Sequence, residues 1–215
     1  LTPDEVEDIA FYMDGMNATI LWTAVQTGMR FGELSGLHWS RVNFDLRTID
    51  LSEQYDQKAR VIKAYPKDKD MRTVPMPADL VAMLRRYKNN TEHNRQRNCG
   101  IEHLYGRCSG DLVFRGTRLA AISSKEWGRG IWHKCRTMAD VDHARPHDLR
   151  HTYASWLLQQ GVSIPELALM MGHSKWEVTQ KYAHLSSGSM DSVRDALSRH
   201  RRTAGRTADP SFTAL

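Results

Sequence analysis

Apolar residues recur at helical spacing through most of this chain, and one stretch in its first half shortens to alternation. Thr2-Pro3-Asp4-Glu5 joins an N-cap threonine, a proline suited to the first turn and a glutamate three residues after the cap, which predicts a helix from here to about Asp14. Ile20, Leu21, Ala24 and Val25 form the stripe of a second helix, from about Asn17 to Gln26, and Gly28 stands where a left-handed cap would end it. Arg30 then falls in a tight turn before a short helix that starts near Phe31.

From Val42 to about Val74 the runs become short and rich in β-branched and aromatic residues, notably 48–51 and 60–65, so a small antiparallel sheet is expected. Its last hairpin should turn through Lys67-Asp68-Lys69-Asp70 and return along Arg72-Thr73-Val74-Pro75. Leu80, Met83, Leu84 and Tyr87 predict a helix from Ala78 to about Asn89. The polar, aperiodic stretch from Asn90 to Gly110 reads as a long surface loop, and Leu112-Val113-Phe114 as a short strand. Further helices are expected at about 124–138, 146–160, 164–171, 175–182 and 190–202, with a disordered end after Thr203. The fold class is therefore α+β, mainly α-helical.

A chain of 215 residues with 40% hydrophobic content can bury one large core. It has no apolar run near the roughly 20 residues of a membrane span, and its start lacks the regions of a signal peptide. A soluble, cytoplasmic protein without membrane contact is expected. The start also lacks a Met, which suggests a piece of a longer protein. The net charge of +5 suits a polyanionic partner, although many basic proteins bind no nucleic acid. Three cysteines, Cys99, Cys108 and Cys135, are too few for a disulfide framework and read as reduced thiols. The run from Cys99 through His103 to Cys108 invites zinc, but the paired short spacings of zinc modules are absent, so an exposed loop without metal is expected.

Six dispersed residues carry the candidate chemistry: Arg30, Lys67, His147, Arg150, His173 and Tyr182. Two arginines, a lysine, two histidines and a tyrosine suit a site that grips a phosphodiester and attacks it. Glu33, three residues after Arg30, can orient its guanidinium, and a planar fork can meet two phosphate oxygens. His147, Arg150 and His151 share one face at a helix start, which is either a solvated charged face or an anion site. Tyr182 is either a half-buried core tyrosine or, placed among these cations, a nucleophile. No Walker-type loop, Gly-x-Gly-x-x-Gly or Ser-centred elbow is present, which removes common nucleotide and hydrolase classes.

The frames Arg30-Phe31-Gly32-Glu33-Leu34, Arg145 to Thr152, Gly172-His173-Ser174 and Tyr182 resemble the active-site boxes of the tyrosine site-specific recombinases, the phage integrase family. The resemblance runs from about residue 1 to 187. It implies a tyrosine recombinase catalytic-domain fold over 1–187, followed by a C-terminal helix and flexible tail over 188–215 that docks in cis or onto a neighbour. It implies Arg30 and Arg150 on the phosphate, Glu33 and His151 supporting them, His147 and His173 at the transition state, and Tyr182 as nucleophile. Lys67 and Lys69 compete for the general acid, and both would lie near DNA; Lys67 fits the family's β-turn lysine better. Implied partners are double-stranded DNA attachment sites, three further copies in a homotetramer, a host DNA-bending protein and an excision factor. No cofactor, metal or ATP is implied. The resemblance also implies that an upstream part carries DNA-binding domains and that the protein is associated with the nucleoid of a bacterial host. Phage or prophage integration and excision is the favoured role, with a resolvase, a conjugative-transposon recombinase or an inactive DNA-binding module of the same fold as alternatives.

Overall fold

The computed structural model describes residues 1–65, 71–90, 98–116 and 120–172, together with Arg194 and Ser198. The expected helices at 175–182 and 190–202 lie outside the described residues, apart from those last two positions. Arg194 donates to the Leu46 carbonyl of the same chain at 2.8 Å. Among the described residues, no helix is long and apolar enough to cross a membrane.

Helix α1 (Pro3–Phe11) starts at the expected capping box: Thr2 accepts from the Glu5 N–H, and Glu5 accepts from the Thr2 N–H. Helix α2 (Gly15–Thr27) is capped by Asp14 and buried nearly all round, because α1, α4 (Ala78–Asn90) and α7 (Asp148–Gln159) pack about it. Ile20, Leu21 and Val25 are each no more than 1% exposed; full burial of side chains of this size contributes about 1.5–3 kcal/mol each. Helix α3 (Phe31–Ser35) follows after a turn at Gly28.

The expected single sheet is two. Strands β1 (Val42–Asn43), β2 (Thr48–Leu51) and β5 (Arg72–Pro75) form one antiparallel sheet in the order β1-β2-β5. Strands β3 (Glu53–Asp56) and β4 (Val61–Ala64) form an antiparallel pair, and β6 (His103–Leu104) joins β4 in parallel. So β4 and β5 are not hairpin partners, and residues 66–70 connect two sheets. The pairing of β5 with β2, Ile49 opposite Val74, joins two runs whose alternation alone names no partner.

Four further expectations change. The region after α4 is not simply an exposed loop: Cys99 is 2% exposed, and His103–Leu104 pairs with β4. Leu112, Val113 and Phe114 are fully buried but form only an isolated bridge, Leu112 opposite His38. The helix expected at 124–138 is α5 (Ser124–Trp127) and α6 (His133–Met138) joined by a π-helical segment, Gly128–Trp132. A π turn brings residues five apart onto one face, which lets Trp127 and Trp132 both face the core with ring centroids 5.5 Å apart. Helix α7 begins at Asp148, later than Pro146, with His147 at its cap; α8 (Ile164–Met171) starts from the Ser163 capping box.

Glycines end α2 and α8 in the left-handed conformation, Gly28 with φ 64° and Gly172 with φ 60°. A Cβ at Gly28 would lie 2.4 Å from the Tyr153 ring, which is itself fully buried on α7. The position is closed to other residues on two counts, backbone strain and steric overlap. Gly28→Ala is expected to destabilise the chain by about 2 kcal/mol or more, read as a lower urea midpoint; an unchanged midpoint would contradict the close α2–α7 packing.

Candidate active site

The centre of the site is one carboxylate. Glu33 on α3 is fully buried and accepts five hydrogen bonds. Its Oε2 accepts from the Arg30 backbone N–H at 2.7 Å and from Arg72 Nη2 at 2.8 Å. Its Oε1 accepts from Arg72 Nη1 at 2.8 Å, from the Tyr65 hydroxyl at 2.9 Å and from Arg30 Nη1 at 3.2 Å. Burial alone would push this carboxyl up, but the Arg72 pair, the Arg30 N–H and the Tyr65 hydroxyl outweigh it and hold the group below its ordinary value.

The C-terminal end of α8 is the second anchor. Its last carbonyls have no partner within the helix and carry partial negative charge. Met170 O accepts from Arg72 Nε at 2.7 Å, Met171 O accepts from Arg150 Nη2, and Gly172 O accepts from Arg30 Nη2 at 2.8 Å. Arg150 Nη1 reaches across to the Gly28 carbonyl at the end of α2. Three guanidiniums therefore converge on one carboxylate and two helix ends.

Arg150 is 5% exposed although it lies in the first turn of α7. Burial, with the nearby Arg30 charge, pulls its pKa down to about 10, which still leaves it charged at neutral pH. One side of it is apolar: a cavity of about 330 Å³ shares Arg150 and His147 with Met29, Phe31 and Trp127. A low-dielectric wall increases the weight of the charge. Arg30 keeps 34% of its side chain exposed, so it is the member of the cluster most open to solvent.

Of the residues expected from the sequence, Arg30, Glu33 and Arg150 come together as described. His147 caps α7 and is exposed; His151, expected as a support, is also exposed and lies edge-on to His147 with ring centroids 4.9 Å apart. Partial burial, then the neighbouring His151 and Arg150, hold His147 below the usual imidazole value. Lys67, Lys69, His173 and Tyr182 lie outside the described residues. Their flanks do not: Tyr65 and Arg72, on either side of the 66–70 segment, both bond Glu33, and Gly172, next before His173 in sequence, bonds Arg30.

Sequence reasoning missed Arg72 and Tyr65. A signal for Arg72 was present in the period of two: it shares a strand face with Val74, which is fully buried, so its side chain is directed inward and is 6% exposed. Tyr65 carries no such signal, because it lies just past the end of β4.

With this geometry in view, the comparisons with known proteins agree on one family. The phage integrase family model matches residues 1–188, and the chain belongs to that family. Its fold is that of the tyrosine recombinase catalytic domain: it superposes on the Tn1549 transposon integrase bound to transposon right end DNA with a TM-score of 0.70, over 93% of this chain and 65% of that one, at 21% identity. The XerA recombinase crystal structure matches with a TM-score of 0.61 at 25% identity, over 94% of this chain and 64% of that one. A XerC-like tyrosine recombinase of Caldanaerobacter subterraneus subsp. tengcongensis is 27% identical over 85% of this chain and 49% of its own length. Tyrosine recombinase XerC of Bifidobacterium longum is 31% identical over 79% of this chain and 43% of its own. The chain thus spans about half the length of the curated relatives it matches.

Glu33→Gln should expose how far the cluster depends on this charge. Removing one partner of a buried ion pair costs about 3–5 kcal/mol, so a loss of that size is expected by urea denaturation at neutral pH. The pH dependence has a definite sign. A carboxyl depressed below the ordinary 4.5 contributes stability that is complete above that value and lost as pH falls through its folded pKa. The parent should therefore lose stability more steeply than Glu33→Gln between about pH 5 and pH 3. Parallel acid limbs for the two proteins would argue against a charged Glu33.

Proposed function

We propose that this protein is the catalytic part of a tyrosine recombinase that breaks and rejoins DNA through a covalent protein–DNA bond. The observation that supports the reading most is the Arg30–Arg72–Arg150 cluster, in which one carboxylate leaves an excess of positive charge against the end of α8. Fixed cations of this kind stabilise the extra charge on a phosphate under attack without having to reorganise. Arg150 spends two N–H groups on carbonyls, which sets the plane of its fork, and offers its remaining donors to phosphate oxygens.

In this reading the scissile phosphate sits on Arg30 and Arg150, with His147 and His173 hydrogen bonding to it. The Tyr182 hydroxyl attacks phosphorus and loses its proton to solvent, and a 3′-phosphotyrosyl bond forms as the bond to the 5′-oxygen breaks. Lys67, or Lys69 in its place, gives that oxygen a proton. Reversal with a new 5′-hydroxyl rejoins the strand. The phosphodiester energy is retained in the protein–DNA bond, so no ATP is consumed. Four copies act on two sites and pass through a Holliday junction, with a DNA-bending protein and an excision factor as helpers in the host cytoplasm.

Integration and excision of a phage or prophage is the role we favour. Chromosome-dimer resolution is the second reading, and the XerC and XerD names of the relatives speak for it. A reporter plasmid carrying two copies of the DNA beside the gene separates the two: recombination there supports the first, while accumulation of chromosome dimers on deleting the gene supports the second.

The chemistry is tested by incubating the full-length parent with labelled, nicked DNA from which the cleaved end can diffuse away. An adduct stable to sodium dodecyl sulfate should form and be absent in Tyr182→Phe. Arg150→Ala should slow its formation by about 10²–10³. If the protein binds this DNA and forms no adduct, it is a binding module of the same fold.

A further inference from the structure

Around Glu53 on β3, four metal-ligating side chains meet: His38, Cys99, His103 and Cys108. They come from separate places in the sequence. His38 lies in the turn after α3, and the other three follow the spacing Cys-x3-His-x4-Cys across β6. One ligand atom from each lies within 4.8 Å of all the others. Cys99 Sγ is 3.2 Å from His103 Nε2, and Cys108 Sγ is 4.0 Å from His38 Nε2. Zinc–sulfur bonds of about 2.3 Å and zinc–nitrogen bonds of about 2.0 Å place the sulfur–nitrogen edges of a tetrahedron at about 3.5 Å. The two measured separations bracket that value.

A second observation points the same way. Glu53 on β3 is 7% exposed and faces the other nitrogen of both rings: its Oε1 is 2.8 Å from His38 Nδ1, and its Oε2 is 4.0 Å from His103 Nδ1. A carboxylate that accepts the Nδ1–H of His38 holds that imidazole with its Nε2 lone pair free for a metal, and its second oxygen lies on the Nδ1 side of His103, within reach of a small shift of the ring. Ligand histidines in metal sites are oriented in this way. Arg41 Nε, 3.5 Å from Glu53 Oε1, offsets the carboxylate's charge.

The surroundings give such a site a task. Residues 98–111 contain only one two-residue strand, and the apolar cluster they rest on is small, built on Ile62, Cys99, Leu112 and Ala121. Their path is fixed by polar bonds: Arg115 pairs with the buried Asp111 and donates to the Cys99 carbonyl at 3.0 Å. A region with so little core needs a cross-link to hold one geometry.

We propose that His38 Nε2, His103 Nε2, Cys99 Sγ and Cys108 Sγ bind a structural Zn²⁺ ion, with Glu53 orienting the histidines. Four protein ligands close the coordination sphere, so the ion takes no part in phosphate chemistry. Binding releases the two thiol protons, and the two thiolates balance the metal's charge. The ion joins the turn behind α3, which carries Glu33, to β3 and to the β4–β6 pair, which leads to Tyr65. The sequence hides this arrangement because His38 lies far from the other three and one short spacing has no twin.

The test uses the full chain, purified under reducing conditions. It should carry one equivalent of zinc by mass spectrometry, and cobalt added to the metal-free protein should give the intense visible bands of tetrahedral thiolate coordination. Cys108→Ser and His103→Asn should lose the stoichiometric metal. Cys135→Ser should keep it, since Cys135 lies elsewhere and donates to the Tyr12 carbonyl at 3.2 Å. A strong chelator should lower the melting temperature of the parent and leave Cys108→Ser unmoved. Reduced parent protein with no stoichiometric zinc and no tetrahedral cobalt spectrum overturns the proposal. So does full metal retention in Cys108→Ser, or a Cys99–Cys108 disulfide in the native protein. The cobalt titration is made on the parent, so a variant that fails to fold does not decide the outcome.

Discussion

The Glu33 carboxylate is the interaction on which the rest of the structure depends. It is buried without access to water, a situation that costs several kcal/mol for an unpaired ion, and five donors from three residues offset that cost. Those donors bring three parts of the chain to one point: the turn after α2, the end of β4 and the start of β5. Neither sheet contains both β4 and β5, so Glu33 is a joint between the sheets as well as a counterion.

One negative charge cannot balance three guanidiniums, and the remainder is met by helix ends. Carbonyls at the termini of α2 and α8 accept from the arginines where the chain would otherwise leave them to water. This division has a functional logic. Partial charges on carbonyls hold the arginines in place without cancelling them as further carboxylates would, so the cluster stays rigid and electropositive together. The packing that makes it possible is local: Gly28 fits only because it has no Cβ against Tyr153, and a Cβ at Gly172 would come within 2.7 Å of Arg72 Nη1.

What the sequence discloses follows the range of the interactions involved. Helix starts at Thr2 and Ser163 and the stop at Gly28 depend on residues within a turn of one another, and they stand where local chemistry puts them. Arg30 and Arg150 are legible through their frames, because Arg30 with Glu33 and the 145–152 run are short motifs. The pairing of β5 with β2 is not legible, since it is decided by burial on faces that several partners could cover. Arg72 escapes for a related reason: a charged residue in a short strand reads as solvent-facing until Val74 beside it is known to be in the core. The convergence of His38 with Cys99, His103 and Cys108 is the extreme case, a cluster that exists only once β6 lies against β4.

The shared attachment of Tyr65 and Arg72 to one carboxylate also couples the two sheets to each other. The Oε1 that accepts from the Tyr65 hydroxyl also accepts from Arg72, so a shift of the β3–β4 pair would pull on the start of β5. A disturbance in either sheet reaches Arg30 and the end of α8 through the same hydrogen bonds.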